Sequence, residues 1–211
     1  MLAALPLRGR LVTADALYCQ RKVCAQIREA GGDYLIIVKA NQPQLYADIR
    51  LLFTEPPVGE HFAAAEQRSQ HGDRHEVRQL RASTALREYL DWPGVQQVCE
   101  ITRTVTQHGK QSSEVRYAIT SLAERVRAPA LLGHVRGHWG IENRLHYVRD
   151  VTFGEDASQV RSAAAPEVLA ALRNAVLGLL RNAGWDNIAA ALRHTAWTPG
   201  AALQLLGLPS P

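Results

Sequence analysis

Residues 10–38 read RLVTADALYCQRKVCAQIREAGGDYLIIV, and this stretch decides the fold. Arg10-Leu11-Val12-Thr13-Ala14 is a short apolar run ending at Asp15, which predicts a buried strand with an acid at its carboxyl end. From Gln20 to Ala30 the residues Val23, Ile27 and Ala30 recur at helical spacing, and Gly31-Gly32 supplies the stop. Tyr34-Leu35-Ile36-Ile37-Val38 is continuously apolar and rich in β-branched side chains, as expected of a strand covered on both faces. A strand, a helix and a strand in this order predict a parallel βαβ unit with a right-handed crossover. The fold class is therefore α/β.

Outward from this unit, Pro43 opens a second helix through Leu45, Ile49 and Leu52, and Glu55-Pro56-Pro57-Val58-Gly59 breaks the pattern. From about His61 to Leu122 the periodicity shortens. Strands are expected over Arg74 to Leu80, Val95 to Thr106 and Glu114 to Ile119, with turns at Asp91-Trp92-Pro93-Gly94 and Gln107-His108-Gly109-Lys110. His71-Gly72-Asp73-Arg74-His75-Glu76 reads as a polar turn leading into a strand. Beyond it the chain turns helical. Pro129 starts a helix containing Leu131, Leu132 and Val135 that runs on through His146, Glu167 to Arg181 is a second, and Asn187 to His194 a third. Gly184 and Pro199 punctuate the end. Three regions follow: 1–55 as strand-helix-strand-helix, 56–125 as a β-rich insertion, and 126–211 as a helical region.

Composition narrows the function classes. The chain has 211 residues, 46% of them apolar and 21% charged, enough for a real core in one or two domains. It has no apolar run long enough for a membrane span and no secretory signal at Met1-Leu2-Ala3-Ala4-Leu5-Pro6-Leu7-Arg8. Cys19, Cys24 and Cys99 are odd in number and form no C-x-x-C pair, which favours reduced thiols in a cytoplasm over a disulfide framework or a zinc knuckle. A net charge of +4 supports a nucleic-acid partner only weakly.

Two places hold candidate chemistry. Asp15 leaves the first strand at the edge where open α/β sheets bind ligands, and Lys39-Ala40-Asn41-Gln42 leaves the next strand at the same edge. The alternative for Asp15 is a cap on the following turn. The second place is His138-Trp139-Gly140-Ile141-Glu142-Asn143-Arg144-Leu145-His146-Tyr147-Val148-Arg149-Asp150. On a helix, His138, Glu142, His146 and Arg149 share one stripe, a plausible face for a metal ion and phosphates, with a solvated polar face as the alternative. The spacing is not H-E-x-x-H, so zinc held by His138, Glu142 and His146 is the weaker reading. Asp150-Val151-Thr152-Phe153-Gly154-Glu155-Asp156 adds clustered carboxylates, which suit Mg²⁺ or simply a charged turn.

Taken in order, these segments resemble the ISAs-type, or H-repeat-associated, transposases of the DDE class. Thr13-Ala14-Asp15-Ala16-Leu17 with Cys19-Gln20 is similar to that family's second-aspartate segment. Gly31-Gly32-Asp33-Tyr34 and Lys39-Ala40-Asn41-Gln42-Pro43 resemble its next strand, and His71-Gly72-Asp73-Arg74-His75-Glu76 its H-G-R-x-E element, one residue looser. His138-Trp139-Gly140-Ile141-Glu142-Asn143, then Leu145-His146, Asp150-Val151-Thr152-Phe153 and Glu155-Asp156, is the most specific stretch.

The resemblance implies a partial ribonuclease-H-like core, interrupted by the β-rich insertion and completed by the helical region. Asp15 then takes the second acidic position and Glu142 the third, both as Mg²⁺ ligands of a two-metal site for DNA strand cleavage and transfer. Lys39, Asn41, His138, Arg144, His146 and Arg149 are the expected DNA contacts. The family's first aspartate has no counterpart here, and Val135, His138 and Arg149 stand at the tyrosine, arginine and lysine places of the wider Y-R-E-K signature. The expectation is an amino-terminally truncated transposase, catalytically incomplete by itself. Its partners would be insertion-sequence and target DNA, with a homodimer or a complementing N-terminal segment. The rival is a non-catalytic DNA-binding remnant, which the eight arginines against five acids from Arg125 to Arg181 permit.

Overall fold

The computed structural model describes residues 5–141 and 147–208. The chain divides into two compact units, 1–138 and 139–211. In the first, β1 (Leu11–Ala14) and β2 (Asp33–Val38) run parallel, Leu11 opposite Asp33 and Ala14 opposite Ile36, with α1 (Arg21–Glu29) between them. Gly31 takes a left-handed φ of 75° just past the end of α1, a conformation glycine adopts without strain. Gly32 is there for space: a Cβ on it would lie 2.9 Å from the Leu7 carbonyl oxygen. The expected βαβ elements are all present.

After α2 (Pro43–Thr54) come β3 (Ala63–His71), β4 (Arg74–Ser83), β5 (Gln97–Gln107) and β6 (Lys110–Thr120). All six strands join one sheet in the order β1-β2-β6-β5-β4-β3. β6 pairs antiparallel with β2 from Tyr117 to Thr120, so the β-rich stretch and the βαβ unit share a continuous ladder.

Side chains alternate across this sheet as the two-residue period requires. Tyr34, Ile36 and Val38 of β2 face one side, packed with Ile27 of α1 and Leu45, Ile49 and Phe53 of α2. Leu35 and Ile37 face the other, packed with Leu80, Cys99, Ile101 and Ala118 and with Leu131, Leu132 and Val135 of α3 (Ala128–Ile141). The result is three layers, α1 and α2 on one face and α3 on the other. β2 is buried on both sides, as its unbroken apolar run indicates.

One expectation needs correction here, and one strand lacks a sequence signal. β1 is half-buried along its whole length rather than buried, because it is the edge strand of the sheet. β3, with the sequence AAAEQRSQH, gives no alternating apolar signal, yet it forms a nine-residue ladder with β4.

The second unit is helical and has a small core of Val148, Leu177, Leu180, Ile188 and Ala191. It contains a π turn (Val148–Thr152), α4 (Ala165–Asn182), α5 (Ile188–Trp197) and α6 (Pro199–Leu205). The Asn187 side chain caps α5, accepting a hydrogen bond from the Ala190 backbone N–H at 3.0 Å. Pro199 marks a break between helices, as its place in the sequence indicates. It sits in the first turn of α6, where a missing N–H is harmless. Among the described residues no helix is long and apolar enough to cross a membrane.

Candidate active site

The parallel pairing of β1 with β2 brings the two segments that follow them to one edge of the sheet. There Lys39 Nζ lies 3.6 Å from Asp15 Oδ1, both side chains a little over half exposed. The Asp15 carboxyl is held below its ordinary value, first by the adjacent Ala16 backbone N–H and then by Lys39 and, more weakly, His138. It is therefore an ionised, accessible oxygen donor. Beyond the Ala16 N–H, its side chain makes no N-cap hydrogen bond further into the single turn of 3-10 helix at Ala16–Tyr18.

Asn41 and Gln42 work from beneath. Asn41 Nδ2 donates to the Ala16 carbonyl at 2.8 Å, and Gln42 Nε2 donates to the Cys19 carbonyl at 2.8 Å. These bonds fix the backbone that carries Asp15. On the opposite side of the sheet α3 delivers His138, whose Nδ1 is 3.1 Å from Thr13 Oγ1 on β1. That contact spans 125 positions of sequence and brings α3 to the strand that ends in Asp15.

Asp15, Lys39, Asn41 and His138 are thus gathered at one edge. Arg149 belongs to the second unit, where its guanidinium forms two 2.6 Å hydrogen bonds to the Glu155 carboxylate. Glu155 is held low in turn by that arginine. Glu142, Arg144 and His146 lie outside the described residues. Among the described residues no three of His, Cys, Asp or Glu converge as a metal-binding group. The three cysteines are free and buried, and burial pushes Cys19 and Cys99 to about 12 and Cys24 to about 11, which suits core packing better than metal ligation. A cleft of about 310 Å³ lined by Glu60, His61, Ser83, Gln97, Glu124 and Arg125, among others, includes none of the candidate residues.

The Thr13–His138 contact is invisible to pattern reading, because it depends on which face of the sheet α3 covers. A second feature missed in the sequence is the set of arginines around Glu76. The hairpin motif marks the place, but only the strand register assembles it.

The family model for the Transposase DDE domain matches residues 1–179. The chain belongs to the DDE transposases. Among its relatives, the H repeat-associated putative transposase YhhI of Escherichia coli K12 is 30% identical over 192 residues, covering 86% of this chain and 50% of that protein. The putative transposase YncI of Escherichia coli O157:H7 is 32% identical over 196 residues, with 86% and 48% covered. The putative protein YbfL of Escherichia coli K12 is 31% identical over 192 residues, with 86% and 50% covered. This transposase chain thus spans about half the length of the curated relatives it matches. A solved sugar N-methyltransferase, KedS8 from a Streptoalloteichus species, matches 56% of this chain and 44% of its own at 13% identity; its TM-score of 0.26 is too low to support any argument.

Proposed function

We propose that this chain carries the second and third acidic positions of a DDE active site, Asp15 and Glu142, and serves DNA strand cleavage and transfer in transposition. In this reading, residues 1–55 form part of a ribonuclease-H-like core, 56–125 are a β-rich insertion, and 126–211 complete the core and supply the C-terminal tail. The Thr13–His138 hydrogen bond supports the reading best. It anchors α3 to β1, and His138 precedes Glu142 by four residues in sequence.

The donor chemistry at the sheet edge suits Mg²⁺. Asp15 offers a hard carboxylate oxygen, ionised and open to solvent. Asp15 and Glu142 would be the ligands, and a divalent ion there supplies Lewis acidity to phosphodiester oxygens. The chain's own residues do the rest. The Ala16 N–H and Lys39 keep Asp15 anionic, Asn41 locks the loop behind it, and Lys39, His138, Arg144, His146 and Arg149 contact DNA phosphates. A DDE site takes three acidic ligands and two are assigned here, so we propose that Asp15 and Glu142 by themselves do not suffice for DNA cleavage. A homodimer or a complementing N-terminal segment completes the site.

Iron(II) can replace Mg²⁺ and, with ascorbate and peroxide, cut the polypeptide beside the bound ion. The expected result is two cuts, near Asp15 and near Glu142, both suppressed by excess Mg²⁺. A cut at only one place, or cutting that Mg²⁺ does not suppress, overturns the shared site. Plasmid nicking by this chain alone that disappears in Glu142→Gln overturns the incompleteness.

A further inference from the structure

The hairpin His71-Gly72-Asp73-Arg74-His75-Glu76 takes no part in the site above. It makes the turn from β3 to β4, with Gly72 at a φ of 60°. Beyond the turn, Glu76 and Arg78 face the same side of β4, and the register sets Arg78 directly opposite Arg103 of β5. The Glu76 carboxylate is buried. It meets Arg103 Nε at 2.7 Å and Arg74 Nη2 at 3.6 Å, and it also pairs with Arg78. Three guanidiniums therefore share one carboxylate.

A fourth arginine comes from α3. Arg136 reaches Gln67 of β3 at 3.4 Å, and its charge acts on Arg78. Arg78 is pushed down from its ordinary value, first by burial and then by the positive charges of Arg103, Arg136 and Arg74, against the pull of Glu76. Glu114 is also in the field of Arg103, but it binds Arg116 Nε at 2.8 Å. With that pair included, five arginines face two glutamates.

A purely structural ion pair needs one arginine per carboxylate, and gathering like charges costs free energy that an anion would recover. Guanidinium forks match phosphate oxygens in shape and hydrogen-bonding capacity. Arg74 and Arg136, from different elements, are open to solvent at the rim, whereas Arg78 and Arg103 are more enclosed. Charges spread over a strand pair and a helix suit an extended polyanion better than a single small ion.

We propose that the arginine cluster organised by Glu76 binds the phosphate backbone of duplex DNA, with Glu76 orienting the guanidiniums it touches. This inference rests on the reading of the chain as one that acts on DNA.

The test is fluorescence anisotropy of a labelled random-sequence duplex with the full chain, over a range of salt concentrations. In Arg78→Gln/Arg103→Gln the slope of log affinity against log salt should become shallower by about 1.8, or about 0.9 for each phosphate no longer neutralised, with binding roughly tenfold weaker. Arg74→Gln/Arg136→Gln removes the rim charges and should act the same way, which keeps the proposal falsifiable if the enclosed pair does not fold. Arg21→Gln/Arg87→Gln, two exposed arginines paired with Asp91 and Glu88, should leave the slope as it was. Wild-type slopes in both cluster variants, or an equal change in the Arg21/Arg87 variant, overturn the cluster while leaving the DNA reading intact. Failure of the wild-type chain to bind duplex overturns both. Calorimetry with inorganic phosphate distinguishes a free anion: a cluster variant that loses phosphate binding but keeps the wild-type slope also overturns the proposal.

Discussion

Glu76→Gln preserves the shape of the side chain and removes its charge. In the structure the residue is 8% exposed and its carboxylate holds Arg103 at 2.7 Å and Arg74 at 3.6 Å, with Arg78 as a third partner. At an effective dielectric of about 20, a unit pair at about 4 Å is worth roughly 4 kcal/mol before any cost is counted. Desolvation of the carboxylate and repulsion among the guanidiniums offset much of that. The Arg74 and Arg103 side chains are 41% and 31% exposed, so solvent screens their share further. Breaking a buried pair by removing one partner costs about 3–5 kcal/mol, and with this screening the expected loss is about 2–3 kcal/mol.

The pH dependence follows from the same contacts. Burial raises the Glu76 carboxyl, but the Arg103 hydrogen bond and the charges of Arg78, Arg103 and Arg74 outweigh it, and the net shift is downward. A carboxyl depressed in the folded state contributes stability that is fully present above its unfolded value of about 4.3 and is lost as pH falls through the folded value. Urea unfolding followed by circular dichroism should therefore show the whole difference between wild type and variant near neutral pH, and a shrinking one below about pH 4. A loss under about 1 kcal/mol at neutral pH, or one that persists unchanged in acid, refutes the reasoning.

Lys39→Met should bring the Asp15 carboxyl part of the way back toward its ordinary value, because the Ala16 N–H still holds it down. A carboxyl NMR titration in which the Asp15 midpoint stays put or falls would contradict this. Gly32→Ala should lose about 1–3 kcal/mol of stability, since the new methyl must displace the Leu7 backbone 2.9 Å away. An unchanged denaturation midpoint would show that the approach is less constrained than the geometry says.

The sequence was most readable where one physical cause dominates. The run Tyr34 to Val38, the glycines at 31 and 32 and Pro43 each act locally, and β2, the end of α1 and the start of α2 lie where they indicate. β3 was not readable, because an edge strand exposed along most of its length carries no alternation and is held by its ladder to β4. β1 looked buried because its four residues are apolar or small; its edge position makes it half-buried, and sheet order is not a local property. The approach of Lys39 to Asp15 could be inferred from two parallel strands ending at one edge. The reach of His138 to Thr13 could not, since it requires α3 to be assigned to a face. The arginines gathered by Glu76 stayed hidden for a related reason. Arg78 and Arg103 are 25 residues apart and meet only through a register that no local pattern states.

The β5–β6 hairpin outreaches its β2 neighbour and is carried beyond it by β4, which pairs with β5 from Val98 to Thr106. β6 is gripped by β2 only from Tyr117 to Thr120, so the seven residues Lys110–Arg116, about 24 Å of strand, project past that grip. Its far end is joined to the neighbouring hairpin, so the two turns are held to each other rather than left separate: the turn residue His108 lies with Nδ1 2.6 Å from Asp73 Oδ2.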